Sequence, residues 1–288
     1  MDANYRIQKS RDGAVRGVFL FCAVFSILAL GCICVFLFMN GLPFIIKTGF
    51  GNFFGVTWNL HIGAYGVLPM ILASLYVTVL STVVGVTVGL LTAINLFKFC
   101  PAKIVPVIRQ MINLLAGIPS VIYGLFGMIV IVPFVREYLS RGGVGYGIFT
   151  AGAVLSVMIL PTVVSVSLDA LHAVPGSFYE GALALGATNA QSVFKVVLPA
   201  AKSGVLAAAV LSAGRATGET MAVIMVIGGS PVIPRSLFQS VRTLTANIAM
   251  GATELSGDAA TALVATGAVL FFFTLFINAG FSMLNKRP

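Results

Sequence analysis

Charge is scarce in this sequence. Of 288 residues, 17 are Lys or Arg and eight are Asp or Glu, so only 9% carry charge. A water-soluble domain carries about 25%, because its surface has to be wetted. So few charges cannot cover a globule of this size, which excludes a soluble enzyme, a disordered chain and a collagen-like fibre. Cysteine is scarcer still. Cys22, Cys32, Cys34 and Cys100 lie in the first apolar run or in a short basic loop, where no pair has zinc spacing and no disulfide framework is indicated. They are expected to be small buried hydrophobes. His61 and His172 fall in different loops, so no joint metal site is expected, nor any cofactor. No Gly-Lys dipeptide occurs, which removes the phosphate-binding loop of an ATPase. No nucleophile–base or metal-ligand constellation is present either, as a membrane enzyme would need.

What is abundant is apolar sequence: 59% of residues are hydrophobic. These residues come in long runs rather than alternating, which argues against an outer-membrane barrel. A spanning helix needs about 20 apolar residues. Uncharged runs of that length occupy 17–39, 69–97, 110–135, 142–168 and 259–285, and a sixth, 203–228, is interrupted by Arg215 and Glu219. The pattern predicts an all-α polytopic membrane protein of about six transmembrane helices, both termini on one side. The apolar run at 17–39 is 23 residues long, longer than the roughly 7–15 of a signal peptide, and is expected to stay as a first span. Gly85 and Gly89, four apart in the second run, read as a helix-packing pair.

The net charge of +9 does not indicate nucleic acid, because the basic residues sit in short gaps between apolar runs rather than on one face. A cytoplasmic N terminus places Arg6, Lys9, Arg11, Arg16, Lys98, Lys103, Arg109, Lys195, Lys202, Lys286 and Arg287 inside. Lys47, Arg136, Arg141, Arg235 and Arg242 are then outside. This satisfies the positive-inside rule, so both termini are expected in the cytoplasm. An aromatic-rich external segment, 40–68, carries Phe44, Phe50, Phe53, Phe54, Trp58 and Tyr65, as at a membrane interface. The chain divides on this reading into 1–68 (tail, first span and external loop) and 69–288 (the transmembrane domain).

Two stretches carry chemistry. The internal segment 169–202 is too long for a simple turn. Within it, Ser177 and Glu180 have capping-box spacing, and with Pro175 upstream they predict a short helix over 177–185 ending near Gly186. Glu180 could do no more than cap that helix. In the run at 203–228, Arg215 lies about 18 Å from Ser203 at ~1.5 Å per residue, near the membrane midplane. Glu219, four residues on, is expected on the same helix face. Charges at this depth default to a functional reading, against the simpler one of an ion pair that locks the bundle. The guanidinium fork matches a phosphate-type oxyanion. Thr217 and Thr220 add hydroxyls, and Gly214 and Gly218 leave room. Pro119 in the third run is expected to kink it, with Ser120 and Tyr123 as possible pathway hydroxyls.

The spacing of Glu180, Gly181, Ala182, Gly186, Leu198 and Pro199 resembles the EAA loop of ABC importer permeases, with Gly181 and Val196 as mild departures. The stretch around Arg215 and Glu219 (GRATGETMAV) resembles the fifth-span signature of PstC-type permeases of phosphate-specific importers. Residues 114–127 and 241–249 agree with that family, and the paired PstA type follows its Gly-Glu-Thr with Ala-Pro instead. The resemblance implies a type I ABC importer permease fold in a bacterial cytoplasmic membrane. Glu180, Gly181, Ala182 and Gly186 would then lie on a coupling helix for the ATPase, and Arg215 and Glu219, with Thr217 and Thr220 beside them, on the phosphate path. The implied partners are a PstA-like permease, two PstB-like ATPase subunits that supply the hydrolysis, and a PstS-like external binding protein. On this basis Arg215 is expected to be neutralised by Glu219 at rest and freed for the arriving anion. Another oxyanion such as sulfate or molybdate fits Arg215 equally well. A secondary transporter or channel is the remaining alternative, though no inverted repeat is visible.

Overall fold

A computed structural model describes residues 2–59, 62–140, 142–252 and 257–285, with side chains from 15 onward except at 281, 282, 284 and 285. Of the residues read above, His61, Arg141, Lys286 and Arg287 lie outside this set. The chain is mostly helical. Helix α1 (Asp2–Thr48) leads through the single turn α2 (Phe50–Phe53) to a two-stranded hairpin, β1 (Trp58–Asn59) paired antiparallel with β2 (Ala64–Tyr65). Then follow α3 (Leu68–Ile94), α4 (Val105–Ala116), α5 (Ser120–Leu139), α6 (Ile148–His172), α7 (Gly176–Ala184) and α8 (Asn189–Ala200). Last come α9 (Lys202–Gly218), α10 (Met221–Val226), α11 (Leu244–Gly251) and α12 (Asp258–Asn285). Among the described residues, five helices are long and apolar enough to cross a membrane alone. They become six if α8 and α9, bent by 70° at their junction, count as one span.

The bundle is built around α3 and α6, its most extensive helix pair. Gly85 and Gly89 make their approach possible, as the spacing predicts. A Cβ on Gly85 would stand 2.5 Å from Ile159 Cδ1, and one on Gly89 would stand 2.7 Å from Val163 Cγ1. Ser156 of α6 donates across the pair to the Ser81 carbonyl at 3.3 Å and back to Gly152 at 2.6 Å. Such back-bonding is how hydroxyls are carried in apolar helices. At one end, Phe44, Phe53, Trp58 and Tyr65 of the aromatic segment pack with Met70, Leu244 and Leu263. At the other, Ile94, Leu96, Leu168, Leu171 and Val193 close the bundle.

Helix α1 stands apart. It packs on α12, but none of its most apolar window is buried. This corrects the expectation for the cysteines: all four are unpaired, Cys22 and Cys32 are exposed on α1, and Cys34 and Cys100 are half-buried. An apolar helix that buries no window against its own chain presents that surface to lipid or to another subunit.

The third run is not one kinked span. It divides into α4 and α5, with 117–119 between them. Pro119 has no N–H to continue the ladder, and it pushes Ile118 out of helical geometry. The Leu115 carbonyl, which would have accepted from residue 119, takes the Ile118 N–H at 3.2 Å and the Tyr123 hydroxyl at 2.7 Å. The Tyr123 hydroxyl is thus engaged at the break. Two later prolines, Pro133 and Pro199, each follow a wide π-type turn, Gly127–Ile131 and Val193–Val197. Such turns are where helices absorb a local misfit.

Candidate functional site

The run with Arg215 and Glu219 is broken as well, and here the sequence expectation is corrected. Helix α9 ends at Gly218, Glu219 is extended (φ −70°, ψ 126°), and α10 starts at Met221. The two charges therefore do not share a helix face one turn apart, and no ion pair between them exists. Among the described residues the one salt bridge is Lys47 Nζ to Asp258 at 3.0 Å. Glu219 is engaged elsewhere. Its carboxylate accepts the Ala222 N–H at 3.1 Å, capping the first turn of α10, and its carbonyl accepts the Thr245 hydroxyl at 3.1 Å. Gly218, a poor helix former, gives way where two better-paired alternatives exist for Glu219. Local periodicity loses to tertiary hydrogen bonding.

Arg215, in the last turn of α9, is exposed on the bundle surface, with Tyr123 within its electrostatic reach. No hydrogen-bond or ion-pair partner holds it among the described residues. Gly218 beside it opens onto free space. Thr217 is buried, its hydroxyl donating to Ala213 at 2.8 Å. Thr220 is half-buried and its hydroxyl bonds the Gly218 carbonyl at 3.3 Å. The structure therefore brings Arg215, Gly218, Glu219 and Thr220 to one break and turns Thr217 into the core.

A second cation lies near the same break. The turn that opens α11 has Thr243 as its N-cap, accepting from the Ala246 N–H at 3.2 Å. The Leu244 N–H donates to Ser74 of α3 at 2.9 Å. Arg242, just ahead of it, donates Nε to the Gly229 carbonyl at 2.7 Å and Nη1 to Asn247 Oδ1 at 3.2 Å. Burial lowers the Arg242 pKa from its ordinary value. From sequence, 241–249 entered only through its agreement with the family, and Arg242 only as an external charge. The stretch's signal was a polar run (Arg242, Thr243, Thr245, Asn247) at the start of an otherwise apolar helix.

The internal segment is helical almost throughout, α7 and α8 included, where only one short helix was expected. The expected capping box at Ser177 and Glu180 is absent. The helix starts a residue early, Pro175 is its N-cap, and no side chain caps it. Ser177 thus falls inside the first turn and Glu180 is an exposed helix residue. The box is found at Thr188 and Gln191 instead, at the start of α8, with both reciprocal bonds made. Gly186 does end α7. With φ +87° it is the left-handed residue of a Schellman turn, in which Gly186 N–H bonds Leu183 O at 2.9 Å and Ala187 N–H bonds Ala182 O at 3.1 Å. This turn leaves Leu185 91% exposed, and Phe178 in the first turn of the helix is half-exposed. The helix is tied to the wide turn after α3 by Lys98, whose Nζ lies 4.3 Å from the Tyr179 ring centre, and Tyr179 donates to Asn189 at 3.1 Å. His172, read as a loop residue, ends α6 and meets Arg109 at 3.2 Å. Among the described residues no group of three or more His, Cys, Asp or Glu is placed to hold a metal.

The model of the family described as binding-protein-dependent transport system inner membrane component matches residues 85–288. The chain belongs to that family. It is 39% identical over 295 residues to the probable ABC transporter permease YqgH of Bacillus subtilis, covering 96% of this chain and 95% of the relative. It is 32% identical to the phosphate transport system permease PstC of Mesorhizobium japonicum, covering 95% and 92%. With PstC of Mycobacterium leprae the identity is 35%, covering 85% and 84%. The fold matches a subunit of the inward-facing methionine transporter MetNI (TM-score 0.62, 20% identity, 76% and 94% covered). It also matches one of a bacterial alginate ABC transporter (TM-score 0.63, 16% identity, 94% and 96% covered). The chain is thus a multi-pass permease of the bacterial inner membrane with the type I importer fold, and not an enzyme. Membership implies an ATPase and a substrate-binding protein as partners. It removes the secondary-transporter alternative.

Proposed function

We propose that this permease is the PstC-type subunit of an ATP-driven importer of inorganic phosphate. The observation that carries the reading is Arg215, an exposed guanidinium at a broken helix with no carboxylate bonded to it among the described residues. Its donor fork suits a tetrahedral oxyanion. The identity to PstC permeases favours phosphate over sulfate or molybdate. The exposed apolar faces of the bundle suit a PstA-like second permease, with the pathway between the two chains. Both termini and α7 face the cytoplasm on this reading. There the helix carrying Glu180, Gly181 and Ala182, closed by Gly186, offers Phe178 and Leu185 to one of two PstB-like ATPase subunits in a helix-in-groove contact. A PstS-like protein delivers phosphate from the other side.

The role of Glu219 differs from simple neutralisation. By capping α10 it fixes where α9 ends, and so positions the last turn that presents Arg215. Its negative charge, four residues away in sequence, also opposes overly tight retention of the anion.

Phosphate uptake by the complete complex in proteoliposomes tests this. Arg215→Gln is expected to lower uptake at least a hundredfold without loss of subunit co-purification, and Arg215→Lys to keep part of it. Near-normal uptake by Arg215→Gln overturns the reading. Competition by excess sulfate or molybdate as effective as by phosphate reassigns the anion.

A further inference from the structure

Arg242 is a half-buried cation whose two bonded acceptors, the Gly229 carbonyl and the Asn247 amide, are both uncharged. Among the described residues no carboxylate is bonded to it. Three of its five donors are left for another acceptor. Asn247, which accepts one of its bonds, is 2% exposed, and its Nδ2 is buried without a hydrogen-bond partner. Such an orphaned donor is uncommon and calls for an explanation. Thr243 and Thr245 lie in the same turn, 3.2 Å apart at their hydroxyls, and Thr245 reaches the Glu219 carbonyl. A cation short of counter-charge, a spare amide donor and a direct link to the break at Glu219 thus occur within six residues.

We propose that Arg242 and Asn247 form a second oxyanion contact on the transport path, separate from Arg215 and linked to its helix break through Thr245. The inference rests on the phosphate-import reading. On the orientation proposed above, Arg242 lies toward the external side and meets the anion before Arg215 does. The open edge of the guanidinium makes the first contact, and the Asn247 Nδ2 joins when the turn carrying it shifts. Two weak contacts in series suit conduction better than one strong one, since each must release what it binds. The competing role is a brace, with Arg242 tying the Gly228–Gly229 bend to α11 and binding nothing.

Charge separates the two. Asn247→Asp keeps the acceptor for Nη1 and adds a carboxylate, which strengthens a brace but neutralises an anion site. In proteoliposomes with the complete complex and inorganic phosphate, Asn247→Asp is expected to raise the KM for uptake at least tenfold. Arg242→Gln, which keeps hydrogen-bonding capacity, should do the same, and Arg242→Lys should stay within about threefold of the parent. If Asn247→Asp fails to assemble, the Gln and Lys variants decide. Uptake within twofold of the parent in Asn247→Asp, or Gln serving where Lys fails, makes Arg242 a brace and overturns the inference alone. A parent complex that imports no oxyanion overturns the functional reading as well.

Discussion

The chain interrupts an apolar run twice, at 117–119 and at 219–220, and the two breaks are mended by different chemistry. At the first, a proline removes the donor, and the Leu115 carbonyl takes the Ile118 N–H and a neutral hydroxyl from Tyr123 in its place. The repair lies within one segment and uses no charge. At the second there is no proline. The backbone leaves the helix because Glu219 finds better partners outside it, Ala222 N–H for its carboxylate and Thr245 for its carbonyl. That repair spends the nearest negative charge on a helix end and leaves Arg215 without a carboxylate bonded to it. A break made by proline serves architecture; a break made by a carboxylate also sets the electrostatics of whatever passes beside it.

Among changes that undo a repair, the largest effect is expected at the second break. Glu219→Ala removes the cap on α10, which should cost about 1–2 kcal/mol by analogy with other lost caps, and lets the end of α9 drift. Phosphate uptake by the assembled complex should fall more than tenfold. Glu219→Gln keeps an acceptor for Ala222, so it should retain the parent's thermal stability in detergent and uptake within about fivefold. If Gln is as damaging as Ala, Glu219 acts through its charge and the geometric account of the second break is wrong.

A smaller effect is expected at the first break. Tyr123→Phe removes one of the two donors on the Leu115 carbonyl and leaves it the Ile118 N–H, so it should cost about 1 kcal/mol or less, the net contribution of one hydrogen bond. Pro119→Ala returns an N–H to that carbonyl, so Tyr123→Phe should cost little in its presence. A double-mutant cycle in thermal denaturation reads the coupling, and purely additive effects would show that Tyr123 mends nothing.

The two breaks also mark how far the sequence is legible. Helix count and class follow from run length, because a backbone in lipid can satisfy itself only internally. Gly85 and Gly89 were readable as packing residues, since close approach needs a missing side chain. Pro119 announced an interruption. The break after Gly218 could not be read, because what makes it is a hydroxyl 26 residues further on, at Thr245. The same limit explains the misplaced capping box. Ser177 and Glu180 have the right spacing, as do Thr188 and Gln191, and only the turn set by Pro175 and Gly186 decides which pair sits at a helix start. Arg215 stood out as a cation inside an apolar run, whereas Arg242 was filed with the loop charges because its burial depends on Gly229 and Asn247.

The smallest effect is expected where charges are paired in the open. Lys47 and Asp258 are 3.0 Å apart but 67% and 64% exposed, and such pairs contribute about 0–1 kcal/mol. Lys47→Met should therefore shift thermal stability by no more than about 0.5 kcal/mol, and raising the salt concentration should erase the difference. What seats α1 on α12 is instead apolar contact: Phe38 lies with its ring centre 5.7 Å from Phe271 and 5.3 Å from Phe272. Phe38→Ala should cost more than Lys47→Met in the same assay. The reverse order would mean that the first helix is held by charge after all, and that an ion pair at the bundle's rim does what neither helix break asks of one.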